Sequence, residues 1–273
     1  MTATPIPRTL AMTVYGDLDL SFIDELPQGR KKVITTIVPP SKRREAYEFL
    51  KKEMERGHQV FVICPRIEPT TNDKRLTTEL KTVKEEHEKL SRDIFPGFEV
   101  AMLHGKMSSR EKENVMKKFK RGKTNMLVST SVVEVGVDIP NATVMMIEGA
   151  ERFGLAQLHQ FRGRVGRGEH QSYCLVFTES SSSKGISRLK ALTKLQNGFK
   201  LAEMDLRMRG PGDFMGKKQW GIPDFAMEQL ANQTIVEESL QAAKEVLEED
   251  ITLKKYPVLR MKIQELREKL HLE

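Results

Sequence analysis

The chain has 273 residues, 45 of them Lys or Arg against 38 Asp or Glu, which gives a net charge of +7. Hydrophobic residues make up 38% and charged residues 30%, enough apolar material for a folded core, so wholesale disorder is excluded. No apolar run reaches the roughly 18–20 residues of a membrane helix, and the opening MTATPIPRTLAM has no basic region followed by an apolar one, which excludes a secretory signal there.

Six short β-rich runs recur with helical stretches between them: VITTIV (33–38), QVFVIC (59–64), EVAMLHG (99–105), NMLVSTS (125–131), ATVMMIEG (142–149) and YCLVFT (173–178). Most are continuous apolar runs, as strands covered on both faces of a parallel sheet require. After the first run comes SKRREAYEFLKKEMERG. Ser41 is placed to cap this helix, Ala46, Phe49, Leu50 and Met54 form its apolar stripe, and Gly57 ends it. The polar stretch RLTTELKTVKEEHEKLSRDIF (75–95) predicts an exposed crossover helix. SSREKENVMKKFKRG predicts a helix capped by Ser108 or Ser109, with Val115, Met116 and Phe119 on its apolar face and Gly122 at its end. Strand–helix–strand alternation with short connections implies an open α/β sheet. Cys64 and Cys174 lie inside apolar runs and read as buried thiols of a reducing compartment. No histidine spacing completes a zinc site, so no metal site is expected.

SSSSK (180–184) reads as a linker, and ISRLKALTKLQNG and FKLAEMDLRM as two helices turning at Gly198. RGPGDFMGKKQWGIP is too rich in Gly and Pro for a helix. Helices return in IVEESLQAAKEVLEED and MKIQELREKL. Residues 185–222 carry eight basic and three acidic side chains, whereas residues 223–273 carry seven and eleven. A basic stretch of that kind suits a polyanion such as nucleic acid, although a solvated basic face is equally compatible with it.

Two segments stand out where a doubly wound sheet binds ligands, at the carboxyl ends of its strands. In STSVVEVGVDIPNA (129–142), Ser129 and Thr130 offer hydroxyls to a phosphate, Gly136 permits close backbone approach and Asp138 suits a ribose hydroxyl. The alternative is a crossover whose aspartate caps a turn. In QLHQFRGRVGRG (157–168), Arg162, Arg164 and Arg167 are interleaved with Gly163, Gly166 and Gly168. Three guanidinium groups so close together repel one another and favour anions, and their planar forks suit a transferring γ-phosphoryl group. His104 reads as a strand-end structural group, and His159 as a residue that orients the arginine segment.

In this order and spacing the two segments resemble motifs V and VI of superfamily 2 helicases and translocases. TATPIPRTL resembles motif III of those enzymes, QVFVICPRIE motif IV, and MLHGKM the block that precedes motif V. GFKLAEMDLRMRGPGDFMGKKQWG (198–221) is similar to the translocation motif of the RecG family of branch-migrating DNA helicases. TVYGDLDLSFIDELPQGRKKV matches that family's TLYGDLD and DELPxGR patterns. The transcription-repair coupling factor has a related motif, usually with RGAG where this chain has Arg209-Gly210-Pro211-Gly212. Trp220 departs from the small or polar residue usual after the motif's glutamine.

The resemblance implies a RecA-like, P-loop NTPase-type parallel sheet with helices on both faces, followed by a small helical region with a helical hairpin. Residues 1–29 then hold a motif III remnant and the connection between lobes, 30–180 the second RecA-like lobe, and 181–273 the helical region, with the translocation hairpin and loop at 187–221. It also implies that Arg164 and Arg167 act as arginine fingers and that Gly136, Asp138 and Gln160 lie on the ATP side. Thr130 and Arg66 would face the DNA track, and Arg188, Arg209 and Gln219 would serve translocation. The implied function is an ATP-dependent double-stranded DNA translocase or helicase that remodels stalled replication forks and branch-migrates Holliday junctions in repair and recombination. Its cofactors would be ATP and Mg²⁺. Its partners would be forked or branched duplex DNA and the first lobe and wedge domain of the same protein, with a single-stranded DNA-binding protein as a further candidate and no membrane. Its location would be the bacterial cytoplasm, at the nucleoid. A related transcription-repair translocase and a non-catalytic DNA-binding module are the competing readings.

A complete enzyme of this kind needs a GxxxxGK[ST] loop and an acidic Mg²⁺-binding box. Neither motif occurs in the sequence: GKT at 122–124 follows a predicted helix and lacks the upstream glycine. The expectation is therefore the C-terminal piece of a larger protein, inactive alone as an ATPase, with ATP and Mg²⁺ held mainly by the first lobe.

Overall fold

A computed structural model describes residues 31–65, 83–130, 139–179, 183–195, 197–209 and 233–270. The six expected strands form as β1 (Ile34–Val38), β2 (Gln59–Ile63), β3 (Val100–Leu103), β4 (Met126–Ser129), β5 (Ala142–Ile147) and β6 (Tyr173–Phe177). They make one parallel sheet in the order β1-β6-β5-β2-β4-β3. The continuously apolar runs occupy its centre: every residue of β2, β4 and β5 is buried, whereas β1 and β3 at the edges alternate or are half-covered. This is the α/β architecture expected of a RecA-like lobe.

Helices cover both faces. Between β1 and β2 runs α1 (Arg43–Glu55), which buries Ala46, Leu50 and Met54 and packs Phe49 against the same core. Ser41 does not cap it. A 3-10 turn at Pro40–Lys42 takes that place, and Lys42 precedes the helix without a side-chain cap. Gly57 ends the element with φ +86°, a conformation that costs glycine no steric penalty. Before β3 comes α2 (Val83–Glu88), which widens into a π-helical stretch at Lys89–Ile94. The expectation of an exposed helix fails for this part: Val83, Glu86, Leu90 and Phe95 are buried. Leu90 and Phe95 are five positions apart, and π winding, in which residue i bonds residue i+5, brings both onto the covered face. Buried Glu86 is matched by Lys89 at 3.3 Å.

On the other face lie α3 (Ser109–Lys120) and α4 (Leu155–Arg162). Alternation along β2 explains the division, since successive strand side chains point to opposite faces. Val60 and Val62 join the α1/α2 core, while Phe61 meets Phe119 of α3 with ring centroids 5.0 Å apart. Ser108 caps α3 in a reciprocal box: Glu111 N–H donates to the Ser108 hydroxyl, and the Ser108 N–H donates to the Glu111 carboxylate at 2.8 Å. The α3-to-β4 turn is fixed by an unforeseen residue, Gln59, which is 2% exposed. Its amide donates to the carbonyls of Phe119 (2.6 Å) and Thr124 (2.8 Å), and its oxygen accepts from Asn141. Both cysteines are buried free thiols, as expected, and burial pushes the Cys174 thiol up to about 12.

After β6 come α5 (Ser183–Lys194) and α6 (Gly198–Arg209), so Gly198 opens the second helix. The chain divides into two compact units at Gly198/Phe199. The second unit holds α7 (Gln233–Glu249) and α8 (Pro257–Leu270). Their turn is organised by Asp250, which accepts from the Thr252 N–H (2.9 Å), the Thr252 hydroxyl (2.6 Å) and the Lys255 N–H (2.8 Å). These bonds, that of the Thr252 hydroxyl first, draw its carboxyl down to about 2. No described helix is long and apolar enough to cross a membrane.

Gln59→Leu keeps the volume of the buried amide but leaves two carbonyls without their donor. Its expected cost is about 2–4 kcal/mol, read as a lower urea midpoint. An unchanged midpoint would show that Gln59 does not pin this turn.

Candidate functional site

The arginine-glycine segment begins on α4. Strand β5 ends at Ile147, the chain turns through Glu148 and Gly149 (φ +57°), and a 3-10 turn at Ala150–Arg152 leads into the helix. The turn is held from α1. Arg43 clasps the buried Glu148 carboxylate with two N–H groups, at 2.7 and 3.1 Å, and reaches Glu179 at 2.7 Å. Burial opposes the charge on Arg43, but its bonds and attraction to Glu148 outweigh that and hold its pKa above the ordinary value. Neither partner stands out in the sequence, because a lone Arg and a lone Glu 105 positions apart carry no local pattern.

Strand-to-strand helices run back across the sheet, so α4 starts at the carboxyl edge and ends at the amino edge. This corrects the expectation that the arginine-glycine segment sits at the carboxyl ends. A Cβ at Gly166 (φ +77°) would lie 2.9 Å from Val33, just before β1, and one at Gly168 would lie 2.7 Å from the Pro140 carbonyl, just before β5. Both glycines are therefore needed for close packing at the amino edge. Arg164 is half-buried and Arg167 exposed on this turn, and Gln160 is half-buried on α4. Thr130, by contrast, follows β4 at the carboxyl edge, buried, with a hydroxyl that finds no partner among the described residues. Arg66, Gly136, Asp138, Gln219 and Trp220 lie outside the described residues. Arg209 ends α6, and its side chain also lies outside them.

Sequence pattern groups Arg162 with the anion-seeking arginines, but it turns inward and is 3% exposed. It donates to the carbonyls of Leu192 (2.7 Å) and Leu195 (2.9 Å), at the end of α5, and to His159 Nδ1 at 2.9 Å. A helix end exposes carbonyls without intrahelical partners and carries the negative pole of the dipole, so a buried cation there is well matched. Arg188 makes the reverse connection from α5: its guanidinium donates to the carbonyls of Glu151 (2.8 Å) and Phe153 (2.7 Å), in the turn before α4. Two arginines thus bind α4 and α5 to each other at both ends. Helix periodicity alone does not reveal the pairing, because each arginine addresses backbone carbonyls, which leave no side-chain signature in a sequence.

His159 completes the arrangement. Burial first, and the Arg162 charge second, push its pKa down to about 4 from an ordinary 6.5. The neutral ring accepts at Nδ1, so its proton sits on Nε2. Among the described residues no three His, Cys, Asp or Glu side chains gather to hold a metal ion. The turn carries two guanidinium groups, Arg164 half-buried and Arg167 exposed, and planar guanidinium forks suit the oxygens of phosphate.

Comparison with known proteins points to one family. Residues 41–169 match the helicase conserved C-terminal domain, and residues 195–271 match the C-terminal part of domain 3 of the ATP-dependent DNA helicase RecG. The chain is 49% identical over 271 residues to the ATP-dependent DNA helicase RecG of Synechocystis sp., covering 99% of this chain and 32% of that protein. It is 46% identical over 264 residues to the RecG of Bacillus subtilis, covering 95% and 38%. A structure of RecG bound to a three-way DNA junction aligns with a TM-score of 0.66 at 43% identity, covering 87% of this chain and 30% of that one. The chain thus spans about a third of the length of these relatives.

A histidine with a folded pKa below its unfolded value binds fewer protons when folded, so its stabilising contribution is complete above about pH 6.5 and is lost as pH falls towards 4. NMR titration of the His159 ring protons should give a midpoint near 4, rising in Arg162→Gln. A midpoint near 6.5 in the unaltered chain would contradict the burial of His159 beside Arg162.

Proposed function

The chain belongs to the RecG family, whose C-terminal part it matches, and we propose that it supplies the arginine fingers and the duplex-moving element of an ATP-dependent DNA translocase. The observation that carries this reading is the pair of arginine clamps between α4, which leads into the Arg164/Arg167 turn, and α5, the first helix of the expected translocation hairpin. Resemblance along nearly the whole chain favours this over a transcription-repair translocase or a non-catalytic DNA-binding module.

ATP with Mg²⁺, held mainly by the first lobe, would supply a phosphoryl group on which negative charge develops. Arg164 and Arg167 present fixed planar cations to that charge from a turn locked by Gly166 and Gly168. Gly136, Asp138 and Gln160 complete the nucleotide side, with Pro140 holding the end of the 129–142 segment against Gly168. Thr130, at the opposite edge of the sheet, faces the DNA, and Arg66 is assigned to the same track by its motif. As the lobes close, α4 shifts with the arginines. Arg162 and Arg188 carry α5 with it, and α5 precedes in sequence the translocation residues Arg209 and Gln219. The substrate class is forked or branched duplex DNA, the remaining partners are the first lobe and wedge domain, and a single-stranded DNA-binding protein is a further candidate. The activity is the remodelling of stalled forks and the branch migration of Holliday junctions in repair and recombination. It takes place in the bacterial cytoplasm at the nucleoid.

In a full-length protein carrying this chain, Arg164→Ala or Arg167→Ala should lower kcat for DNA-stimulated ATP hydrolysis by roughly 10³-fold and leave forked-DNA affinity intact. The 273-residue chain alone should hydrolyse no ATP. Collapse of DNA binding with normal turnover would place these arginines on the DNA instead.

A further inference from the structure

The strongest charge concentration in the described lobe lies on the solvent face of α3, the helix that runs between the two edges from β3 to β4. Between residues 106 and 123 there are eight basic side chains and two acidic ones. Their placement follows helical geometry. With buried Phe119 marking the inner face, Arg110, Asn114, Lys117 and Arg121 fall at i, i+4, i+7 and i+11 along the centre of the outer face, with Lys118 and Lys120 on its flanks. All six are exposed. Of the two acids, Glu111 is engaged by the Ser108 cap and Glu113 pairs with Lys117 at 2.7 Å. No carboxylate meets Arg110, Lys118, Lys120, Arg121 or Lys123 among the described residues.

The surface is rigid where the charge is densest. Gln59 fixes the Phe119 and Thr124 carbonyls, Gly122 (φ +71°) closes the turn, and Asn125 is bonded to Val60 and Glu99. The helix C-terminus favours some of this basic charge through its dipole, but Arg110 stands in its first turn, where the dipole opposes a cation. The row from Arg110 to Arg121 covers about 16 Å at 1.5 Å per residue, too long for one phosphate group and suited to successive phosphates of a polymer. A protein partner would need an apolar anchor at the centre of its contact. The exposed large hydrophobic residues of the described chain are Ile34, Met204 and six residues between 235 and 261, none of them on α3.

We propose that the solvent face of α3 is a second phosphate-binding track for duplex DNA, distinct from the Arg164/Arg167 turn and from Thr130 at the end of β4. It goes beyond the proposed ATP-driven function and needs no nucleotide. A duplex arm lying along α3 would make sequence-independent backbone contacts, adding affinity and steering without base readout.

The test is nucleotide-free binding of a blunt 20-base-pair duplex by the 273-residue chain, followed by fluorescence anisotropy across a salt series. Arg110→Gln/Lys118→Gln/Arg121→Gln should weaken binding at least about tenfold at low salt and flatten the log–log salt slope by about 1 for each phosphate that the variant no longer neutralises. Lys254→Gln/Arg260→Gln/Lys262→Gln removes the same charge from α8 and its approach and should do much less. Unchanged circular dichroism and thermal midpoint in both would show intact folding. Equal losses in the two variants would mean that net charge alone sets affinity, which overturns the proposal. So would unaltered duplex binding by the α3 variant, and if that variant also lost polyglutamate binding, α3 would be a surface for an acidic protein. Normal ATPase turnover in Arg164→Ala and Arg167→Ala of the full-length protein, with α3-dependent duplex binding intact, would count against the proposed function and leave this track standing.

Discussion

Two buried or half-buried arginines addressing backbone carbonyls hold α4 and α5 together. Arg162 satisfies the open end of α5 and Arg188 satisfies the turn that enters α4. A charge-assisted hydrogen bond contributes about 1.5–3 kcal/mol, and truncating either arginine would leave carbonyls buried and unmatched. Arginine suits the task better than lysine because its planar fork serves two carbonyls at once and its charge survives burial, even though burial lowers the pKa of Arg162. The clamps are reciprocal, so neither helix can slide without breaking bonds at one end or the other.

The sheet separates the proposed tasks by its two edges. Parallel strands with helical crossovers bring every returning helix to the amino edge, and α4 delivers its arginines there, beside Val33 and Pro140. The carboxyl edge carries Thr130 and the Arg43–Glu148–Glu179 network. That network anchors the start of α4 while the glycine turn anchors its end. The helix is thus fixed at both edges, and under the proposed function the turn that follows it would hold Arg164 and Arg167 on a surface that is not free to relax around an anion. Preorganisation of this kind is what electrostatic stabilisation of a developing charge requires.

Much of this was legible in the sequence. Largely apolar runs mark the six strands, and β2, β4 and β5 take the centre because their runs are apolar on both faces apart from the buried Gln59, Ser129 and Thr143. Gly57 and Gly122 mark turns because only glycine takes their positive φ without strain. The side chains that matter most to the site are harder to read. Arg162 looks like its neighbours Arg164 and Arg167, and only the helix phase relative to Leu158 and Phe161, both buried, hints that it points inward. The arginine segment is expected at the wrong edge because the general rule for ligand sites concerns loops that follow strands, whereas this turn follows a helix. Gln59 and Glu148 act through distant backbone or a distant partner, and such contacts leave no spacing in a sequence. The π-helical stretch at Lys89–Ile94 and the burial of its Leu90 are hidden by a composition rich in Lys and Glu, of which Glu86 sits inside, paired with half-buried Lys89.

The central claim is that Arg162 and Arg188 act as one clamp. A double-mutant cycle on chemical unfolding of the 273-residue chain tests it directly, using Arg162→Ala, Arg188→Ala and the double variant. If the two sets of bonds hold the same pair of helices, the second truncation should cost much less once the first has freed them, with a coupling energy of about 1 kcal/mol or more. Additivity within about 0.5 kcal/mol would mean that the arginines are independent local caps and that α4 and α5 are not locked together by them.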